Sequence, residues 1–233
     1  MARRVEFKNN SNNKLVGVHY KGQSKNLIVM CHGYKSSKDN PALESISKSL
    51  HKSGYSVLRF DFTGHGDSEG DPGIDIIQQV SDIESVIDYY QKKYDGFILV
   101  GASFAGFISA IAAIRSESVV RLISINGLFY PSMAGMKYFQ FLFSCLFNEQ
   151  NRSQLSFYKK YFSPELIKIP TLVIHVKNDS EVNSKQSKKF CSMLMTEQKL
   201  VILEEGDHSL TNEKYVSNVF HEINSWLGIK DLQ

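Results

Sequence analysis

The chain alternates between short apolar runs and longer amphipathic stretches over most of its 233 residues. Continuous apolar runs are typical of strands buried on both faces of a sheet, whereas apolar residues spaced three and four apart are typical of helices. The pattern predicts strands at 27–32, 55–62, 97–102, 119–126, 171–177 and 199–204. It predicts helices at 42–54, 76–94, 104–116, 184–195 and 212–227.

The first twenty residues follow a different pattern. RVEFKN and KLVGVHY alternate apolar and polar residues around an NNSNN turn, which predicts a hairpin of exposed strands. The strands and helices that follow alternate, which favours an α/β fold with a mostly parallel central sheet and helices on both faces. The length fits a single domain spanning 1–233. Ligands bind such sheets at the carboxyl ends of the strands.

Composition and charge exclude several classes of protein. The hydrophobic content of 42% and charged content of 22% match a folded globular chain, and a formal net charge of +3 without a basic block gives no support for nucleic-acid binding. Cys31, Cys145 and Cys191 are far apart and lack metal-ligand spacing, so we expect reduced thiols and neither a metal nor a cofactor. The N-terminus has no apolar core of a signal peptide and no window predicts a membrane span, so we expect a cytoplasmic protein.

A serine stands where a predicted strand meets a predicted helix. Ser103 lies in LVGASFAG, and its hydroxyl becomes a nucleophile only beside a base that a third group orients. His208 follows the last predicted strand and comes after the serine in the chain, so it fits the role of that base. The other histidines lie within predicted strands or helices, or precede the serine: His19, His32, His51, His65, His175 and His221.

The third group should be an acid at another strand end. Asp179 comes directly after the strand at 171–177, and Glu181 is an alternative two residues further on. Asp207 is adjacent to His208 in the chain, and neighbouring side chains rarely reach the required geometry, so we interpret it as a solvated loop acid. The predicted chain order is therefore serine, aspartate, histidine.

The sequence resembles the α/β-hydrolase superfamily along nearly its whole length. It is most similar to small cytosolic esterases of the cinnamoyl/feruloyl-esterase and monoacylglycerol-lipase type, and prolyl-aminopeptidase-like serine hydrolases share the same loops. The motifs that carry the resemblance are the His-Gly loop CHGY (31–34), the Gly-rich loop DFTGHGDSEG (61–70), the nucleophile elbow GASFAG, the acid turn NDSEV and the histidine loop GDHS. The resemblance implies an ester hydrolase that works through an acyl-enzyme intermediate.

The resemblance also implies an oxyanion hole. Its donors would be the backbone N–H groups of Tyr34, in the His-Gly loop, and Phe104, directly after the nucleophile. The elbow departs from the usual G-x-S-x-G pattern, because Ala105 stands where the last glycine is expected and Gly106 follows. The pattern demands small residues because the helix crosses close to the strand.

Residues 127–169 form a segment longer than a strand-to-strand crossover needs, and the segment is rich in phenylalanine and tyrosine. In the resembling hydrolases a cap covers the serine at this position. We expect an inserted cap whose rings form an acyl- or aryl-binding wall, with Phe129, Tyr138, Phe139 and Phe143 as substrate-binding residues. The alternative is that these rings pack only against one another as core.

Three functions remain open. The first is hydrolysis of small or medium acyl or aryl esters. The second is cleavage of amides as an aminopeptidase, which needs acids that bind a free amine, and the cap offers only Glu149 and Glu165. The third is a hydrolase-fold protein that binds a small molecule without fast turnover.

Overall fold

The computed structural model describes residues 2–73, 75–130 and 152–228. The strands are β1 (Ala2–Lys8), β2 (Lys14–Tyr20), β3 (Asn26–Cys31), β4 (Ser56–Phe60), β5 (Gly96–Ala102), β6 (Val119–Ile125), β7 (Thr171–Val176) and β8 (Gln198–Leu203). The helices are α1 (Pro41–Lys52), α2 (Ile76–Tyr90), α3 (Ala105–Arg115), α4 (Arg152–Tyr161), α5 (Lys185–Met193) and α6 (Glu213–Leu227). None of these described helices is long and apolar enough to cross a membrane.

The strands form one sheet in the order β1-β2-β4-β3-β5-β6-β7-β8. β1 pairs antiparallel with β2 and β2 with β4, and every later pair is parallel, so the predicted mostly parallel α/β sheet is confirmed. The expectation of an exposed hairpin is wrong for β2, in which Leu15 and Val16 are fully buried. β2 lies inside the sheet because its other edge pairs with β4, in a register that sets Gly17 opposite Phe60.

The core has two layers, one on each face of the sheet. Alternate residues of β3 point to opposite faces, as the twofold repeat of a strand requires. Leu27 and Val29 join the cluster that includes residues of α2, α3 and α5. Ile28 and Met30 join the cluster formed with α1 and α6. Helices cover both faces, and in sheets of this kind ligands bind beyond the carboxyl ends of the parallel strands.

Helix α3 packs closely against the sheet at two glycines. A Cβ on Gly101 would lie 2.3 Å from the carbonyl oxygen of Ala105, and a Cβ on Gly106 would lie 2.9 Å from the Cα of Gly127. Ala105 itself is 1% exposed and begins the helix. Ala105 therefore replaces the usual glycine at a buried position, while glycines remain at the close approaches of positions 101 and 106.

The described part of the aromatic segment packs on the body of the protein. The ring of Tyr158, on α4, stacks on Phe162 with centroids 5.1 Å apart and meets Phe107 of α3 edge-on at 5.8 Å. The carboxamide oxygen of Gln186, on α5, accepts hydrogen bonds from the N–H groups of Phe129 and Tyr130. Both ends of the segment are therefore held against α3 and α5. The cap boundaries at 127 and 169 stay a prediction.

Candidate active site

Ser103 occupies a strained turn between β5 and α3. Its φ of 52° lies in the left-handed region, which costs a residue with a side chain about 1–3 kcal/mol. Hydrogen bonds hold this conformation: the N–H of Ser103 donates to the carbonyl of Ile125 at 2.9 Å, and its carbonyl accepts from Gly106 and Leu128. The turn therefore presents the hydroxyl beyond the carboxyl edge of the sheet, as a nucleophile elbow does.

A chain of short hydrogen bonds joins the serine, the histidine and the aspartate. The Nε2 of His208 lies 2.8 Å from the Oγ of Ser103, and its Nδ1 lies 2.7 Å from an Oδ2 of Asp179. An ionised carboxylate can only accept, so the proton of the neutral ring sits on Nδ1. Nε2 is then free to accept the proton of the serine hydroxyl. The structure thus brings together the three side chains that the sequence predicted.

The carboxylate of Asp179 is buried and accepts hydrogen bonds from several groups of the protein. Its Oδ1 accepts from the N–H groups of Glu181 and Val182 at 2.8 and 2.9 Å. Its Oδ2 also lies 3.4 Å from the Nε2 of His175, which is itself fully buried. Burial by itself raises the pKa of the Asp179 carboxyl, but the hydrogen bonds from His175 and His208 outweigh it and hold that pKa well below its usual range. Asp179 is therefore ionised wherever the protein is folded near neutral pH.

Two polar residues beside the site escaped the sequence-based prediction. His175, in the apolar run of β7, braces the acid turn, because its Nε2 lies 2.8 Å from the carbonyl of Val182. Asn126 follows β6 at a φ of 48°, and its side-chain oxygen accepts from the N–H of Val176 at 2.9 Å. The available signal in each case was a polar residue inside or directly after a buried strand. Asp207 serves as a loop acid that accepts from Ser209 and Thr211, in line with its interpretation.

The loop after β3 lies directly against the nucleophile. A Cβ on Gly33 would lie 3.0 Å from the Cβ of Ser103, so a larger residue there would press on the serine. The next residue is Tyr34, and Phe104 is the N-cap of α3. The two backbone groups expected to form the oxyanion hole therefore belong to segments that meet at the serine. Their role in binding an oxyanion stays a prediction.

His32 connects the loop after β3 to the loop after β4. Its Nδ1 lies 2.9 Å from the carbonyl of Gly33, and its Nε2 accepts from the N–H of Phe62 at 3.2 Å. Burial lowers the pKa of His32 to about 4, so the ring is neutral near pH 7. Only the neutral ring, with its proton on Nδ1, can make both bonds. The geometry supports the interpretation of His32 as a structural brace.

A buried network of charged side chains fixes the other end of the loop after β3. The carboxylate of Asp61, which is fully buried, accepts from the N–H of Lys38 and lies 3.0 Å from its ammonium group. The ammonium also contacts Asp39 and Asp67 at 2.8 and 2.9 Å. Burial lowers the pKa of Lys38, but these carboxylates outweigh it and raise that pKa above its usual value. The lysine stays charged, and the loop that carries Tyr34 is held at both ends.

A pocket with a volume of about 130 Å³ opens beside Ser103 and His208. Its apolar lining includes Leu43, Ile125 and Leu210, and α1 contributes through its N-terminal turn. Its polar lining includes Ser36, Asn40, Glu181 and Ser209. A cavity of this size admits a small group rather than a long chain.

Of the four residues expected to form a substrate wall, the structure describes only Phe129. Phe129 is fully buried, and its ring stacks on Phe190 with centroids 3.9 Å apart and an interplanar angle of 5°. This placement differs from the expected wall, because the apolar contact with α5 draws the ring into the core and away from the pocket lining. Tyr138, Phe139 and Phe143 lie outside the described residues.

Comparisons of the sequence with known proteins show a family. Residues 22–154, more than half of the chain, match the family described as serine aminopeptidase, S33. A curated Escherichia coli relative, an uncharacterized 31.7 kDa protein of the traX-finO intergenic region, is 32% identical over 68 residues, which are 29% of this chain. The aligned segment spans 23% of that relative's length.

Solved structures share the fold over almost the full length of both chains. Alpha/beta hydrolase domain-containing protein 10 from mouse has a TM-score of 0.76 at 19% identity and covers 97% of this chain and 98% of its own. The Pyrococcus furiosus esterase Pf2001 has a TM-score of 0.77 at 20% identity, over 98% and 91%. Est1E from Butyrivibrio proteoclasticus, solved with ferulic acid bound, has a TM-score of 0.76 at 17% identity, over 98% and 99%. The chain has the α/β-hydrolase fold and belongs to the serine aminopeptidase S33 family.

Proposed function

We propose that the protein is a serine hydrolase that cleaves carboxylic esters through an acyl-enzyme intermediate. The observation that carries the proposal is the hydrogen-bond chain from the Oγ of Ser103 through His208 to Asp179, with distances of 2.8 and 2.7 Å. In this arrangement Ser103 is the nucleophile, His208 is the general base and Asp179 orients the ring. The strained backbone of Ser103 supports the same assignment.

The reaction proceeds in two halves. The Oγ of Ser103 attacks the ester carbonyl while its proton passes to the Nε2 of His208, and the ionised Asp179 stabilises the resulting imidazolium. The backbone N–H groups of Tyr34 and Phe104 receive the developing oxyanion. His208 then returns the proton to the departing alcohol. In the second half His208 takes a proton from water, whose oxygen attacks the acyl carbon. The bond between that carbon and the Oγ of Ser103 then breaks, His208 returns the proton to the Oγ, and the carboxylic acid departs.

The substrates are small to medium acyl or aryl esters. The apolar part of the pocket, with Leu43 and Leu210, supports a small apolar group next to the scissile bond. Apolar contact contributes about 25 cal/mol per Å² of surface removed from water. We further propose that 127–169 forms a cap and that Tyr138, Phe139 and Phe143 bind the substrate.

A fluorophosphonate probe and matched substrates test the proposal. Wild-type protein should be labelled at Ser103 and should hydrolyse short 4-nitrophenyl esters, and Ser103→Ala should abolish both. If labelling persists in Ser103→Ala, the nucleophile is another residue. If Ser103 is labelled but no ester is turned over, the binding protein without turnover is the better description.

Amide cleavage is the second candidate, because the family carries the description serine aminopeptidase. The same three side chains serve both reactions, so the leaving group decides between them. Rates on 4-nitrophenyl esters and on aminoacyl 4-nitroanilides with the same acyl group should therefore be compared. A kcat/KM on the anilide equal to or above that on the ester would favour the peptidase.

A further inference from the structure

One acidic residue that lines the pocket has no role in the proposed chemistry. Glu181 lines the pocket together with Ser103 and His208, and it is the one acidic side chain among the described lining residues. Its carboxylate makes no hydrogen bond or ion pair with any residue in the described ranges 2–73, 75–130 and 152–228. A carboxylate beside a reaction centre and without a partner in that part of the chain is available to a ligand.

The backbone holds Glu181 at a fixed distance from the reaction centre. Its N–H donates to the Oδ1 of Asp179 at 2.8 Å, and the next N–H, of Val182, donates to the same oxygen at 2.9 Å. Val182, the next residue, is fully buried. Its burial and the two hydrogen bonds to Asp179 hold the backbone of Glu181 in place. The backbone from which the Glu181 side chain extends is therefore fixed beside Asp179.

Two alternative roles for the Glu181 carboxylate are already taken by other residues. One is orienting the ring of His208, and the other is capping the N-terminus of α1. The Nδ1 of His208 is bonded to Asp179, so Glu181 is not the group that orients the ring. The N-terminal turn of α1 also lines the pocket and carries a partial positive charge of about half a unit, but Asn40 caps it by accepting from the N–H of Leu43. A full negative charge at Glu181 exceeds that partial charge. A carboxylate without a partner suits a positively charged group.

We propose that Glu181 is a cation-binding residue of the substrate pocket and that the protein prefers esters carrying an ammonium or quaternary ammonium group. The turnover preference rests on the proposed ester hydrolysis, whereas cation binding does not require it. The apolar neighbours Ala42, Leu43 and Leu210 suit the methyl groups of a trimethylammonium, and the carboxylate supplies the opposite charge. The acyl and alcohol sides of an ester could each bring the cation, and matched substrates separate them.

The experiment compares esters that differ only in charge. 4-Nitrophenyl 4-(trimethylammonio)butanoate and 4-nitrophenyl 5,5-dimethylhexanoate test the acyl side, and butyrylcholine and 3,3-dimethylbutyl butyrate test the alcohol side. In one pair, wild-type kcat/KM should be higher for the cationic ester. Glu181→Gln should lower the ratio of cationic to neutral kcat/KM in that pair about fivefold, the upper end for an ion pair in contact with solvent.

A matched variant controls for the loss of one negative charge. Glu117 is exposed in the turn before β6, at the opposite edge of the sheet from the pocket, so Glu117→Gln should leave the ratio of cationic to neutral ester unchanged. Equal losses on the cationic and neutral esters in Glu181→Gln would overturn the proposal. So would a wild-type protein without a charge preference in either pair.

A binding measurement separates this proposal from the proposed function. Choline and 3,3-dimethylbutan-1-ol have the same shape and differ in charge, and their dissociation constants can be measured by NMR titration of the wild type and Glu181→Gln. Tighter binding of choline that is lost in Glu181→Gln supports the cation site even if Ser103 is not labelled and no ester is cleaved. Equal binding of both compounds to the wild type overturns it even if ester hydrolysis is established.

Discussion

The side-chain nitrogen of Asn126 donates a hydrogen bond to the carbonyl oxygen of His208 at 3.0 Å. The other end of the same carboxamide accepts from the N–H of Val176, at the end of β7. Asn126 is 2% exposed, so both bonds are shielded from water. One buried amide thereby ties the histidine loop to the strand that leads to Asp179. The distance between the proposed base and its orienting acid depends on this tie.

We expect Asn126→Asp to lower kcat more than it changes KM. Aspartate has nearly the same shape, but it replaces the donor that serves the His208 carbonyl with a second acceptor. Loss of a buried donor of this kind costs about 1–3 kcal/mol. Steady-state kinetics on a neutral 4-nitrophenyl ester, with the melting temperature as a parallel readout, tests this. A lower melting temperature with an unchanged kcat per folded molecule would make Asn126 purely structural.

We expect two replacements of Ser103 to separate the loss of the nucleophile from the relief of backbone strain. Both Ser103→Ala and Ser103→Gly should abolish fluorophosphonate labelling and lower kcat by several orders of magnitude. Because the φ of 52° favours glycine, Ser103→Gly should be the more stable of the two by about 1 kcal/mol in urea unfolding. Equal stabilities would show that the turn relaxes when the hydroxyl is removed.

Asp179→Asn should reduce kcat by about 10⁴-fold while the protein stays folded. An amide at this position no longer fixes the His208 proton on Nδ1, so Nε2 loses its role as acceptor. The low pKa of the Asp179 carboxyl means that its contribution to stability is present above about pH 4 and is lost only as the pH falls further. Glu117→Gln, which removes an exposed carboxylate far from the pocket, is the control. A larger loss in Glu181→Gln than in Asp179→Asn would transfer the orienting role to Glu181.

We expect His32 to make the protein less stable as the pH falls from about 6.5 to about 4. Its pKa is lowered to about 4 by burial, whereas the unfolded chain binds the same proton near 6.5. In that window the unfolded state holds more protons, so the free energy of unfolding decreases with falling pH. Below about pH 4 both states are protonated and this contribution stops changing.

The measurement is urea unfolding of the wild type and His32→Gln at several values of pH. The variant should show a shallower slope, by at most about 1.4 kcal/mol per pH unit for one proton. Burial also lowers the pKa of His19 to about 4, so His19→Gln should reduce the slope in the same way. Only His32→Gln should also reduce ester hydrolysis, because His32 braces the loop that carries Tyr34. An unchanged slope in His32→Gln would contradict the assignment.

The nucleophile elbow should tolerate Ala105→Gly and reject Gly101→Ala. Glycine at position 105 restores the usual motif, and its main cost is about 0.5–1 kcal/mol of helix stability. A methyl group on Gly101 would sit 2.3 Å from the carbonyl of Ala105, so the helix would have to move away from the strand. Soluble yield, melting temperature and labelling of Ser103 in the two variants test this pair. Full activity in Gly101→Ala would show that α3 can shift without disturbing the serine.

The linear pattern of apolar residues was sufficient for the parallel sheet and for the edge at which the site lies. Strands buried on both faces are recognisable as apolar runs, and the carboxyl ends of parallel strands meet at one edge. Ser103, Asp179 and His208 each follow such a run, so their meeting could be predicted without knowing the order of the strands. The hydrogen bonds between them are a finding of the structure, and their catalytic roles are proposals.

Tertiary structure decided what depends on neighbours across the sheet and between loops. The burial of Leu15 in β2 follows from its packing in the cluster that includes residues of α2 and α3, which lie far along the chain. Asn126 and His175 matter because their side chains reach Val176, Val182 and the histidine loop through space. Phe129 is part of the core and Glu181 is part of the pocket lining for the same reason. The burial and the partners of a side chain are set by residues distant in sequence, whereas strand periodicity is a local property of the chain.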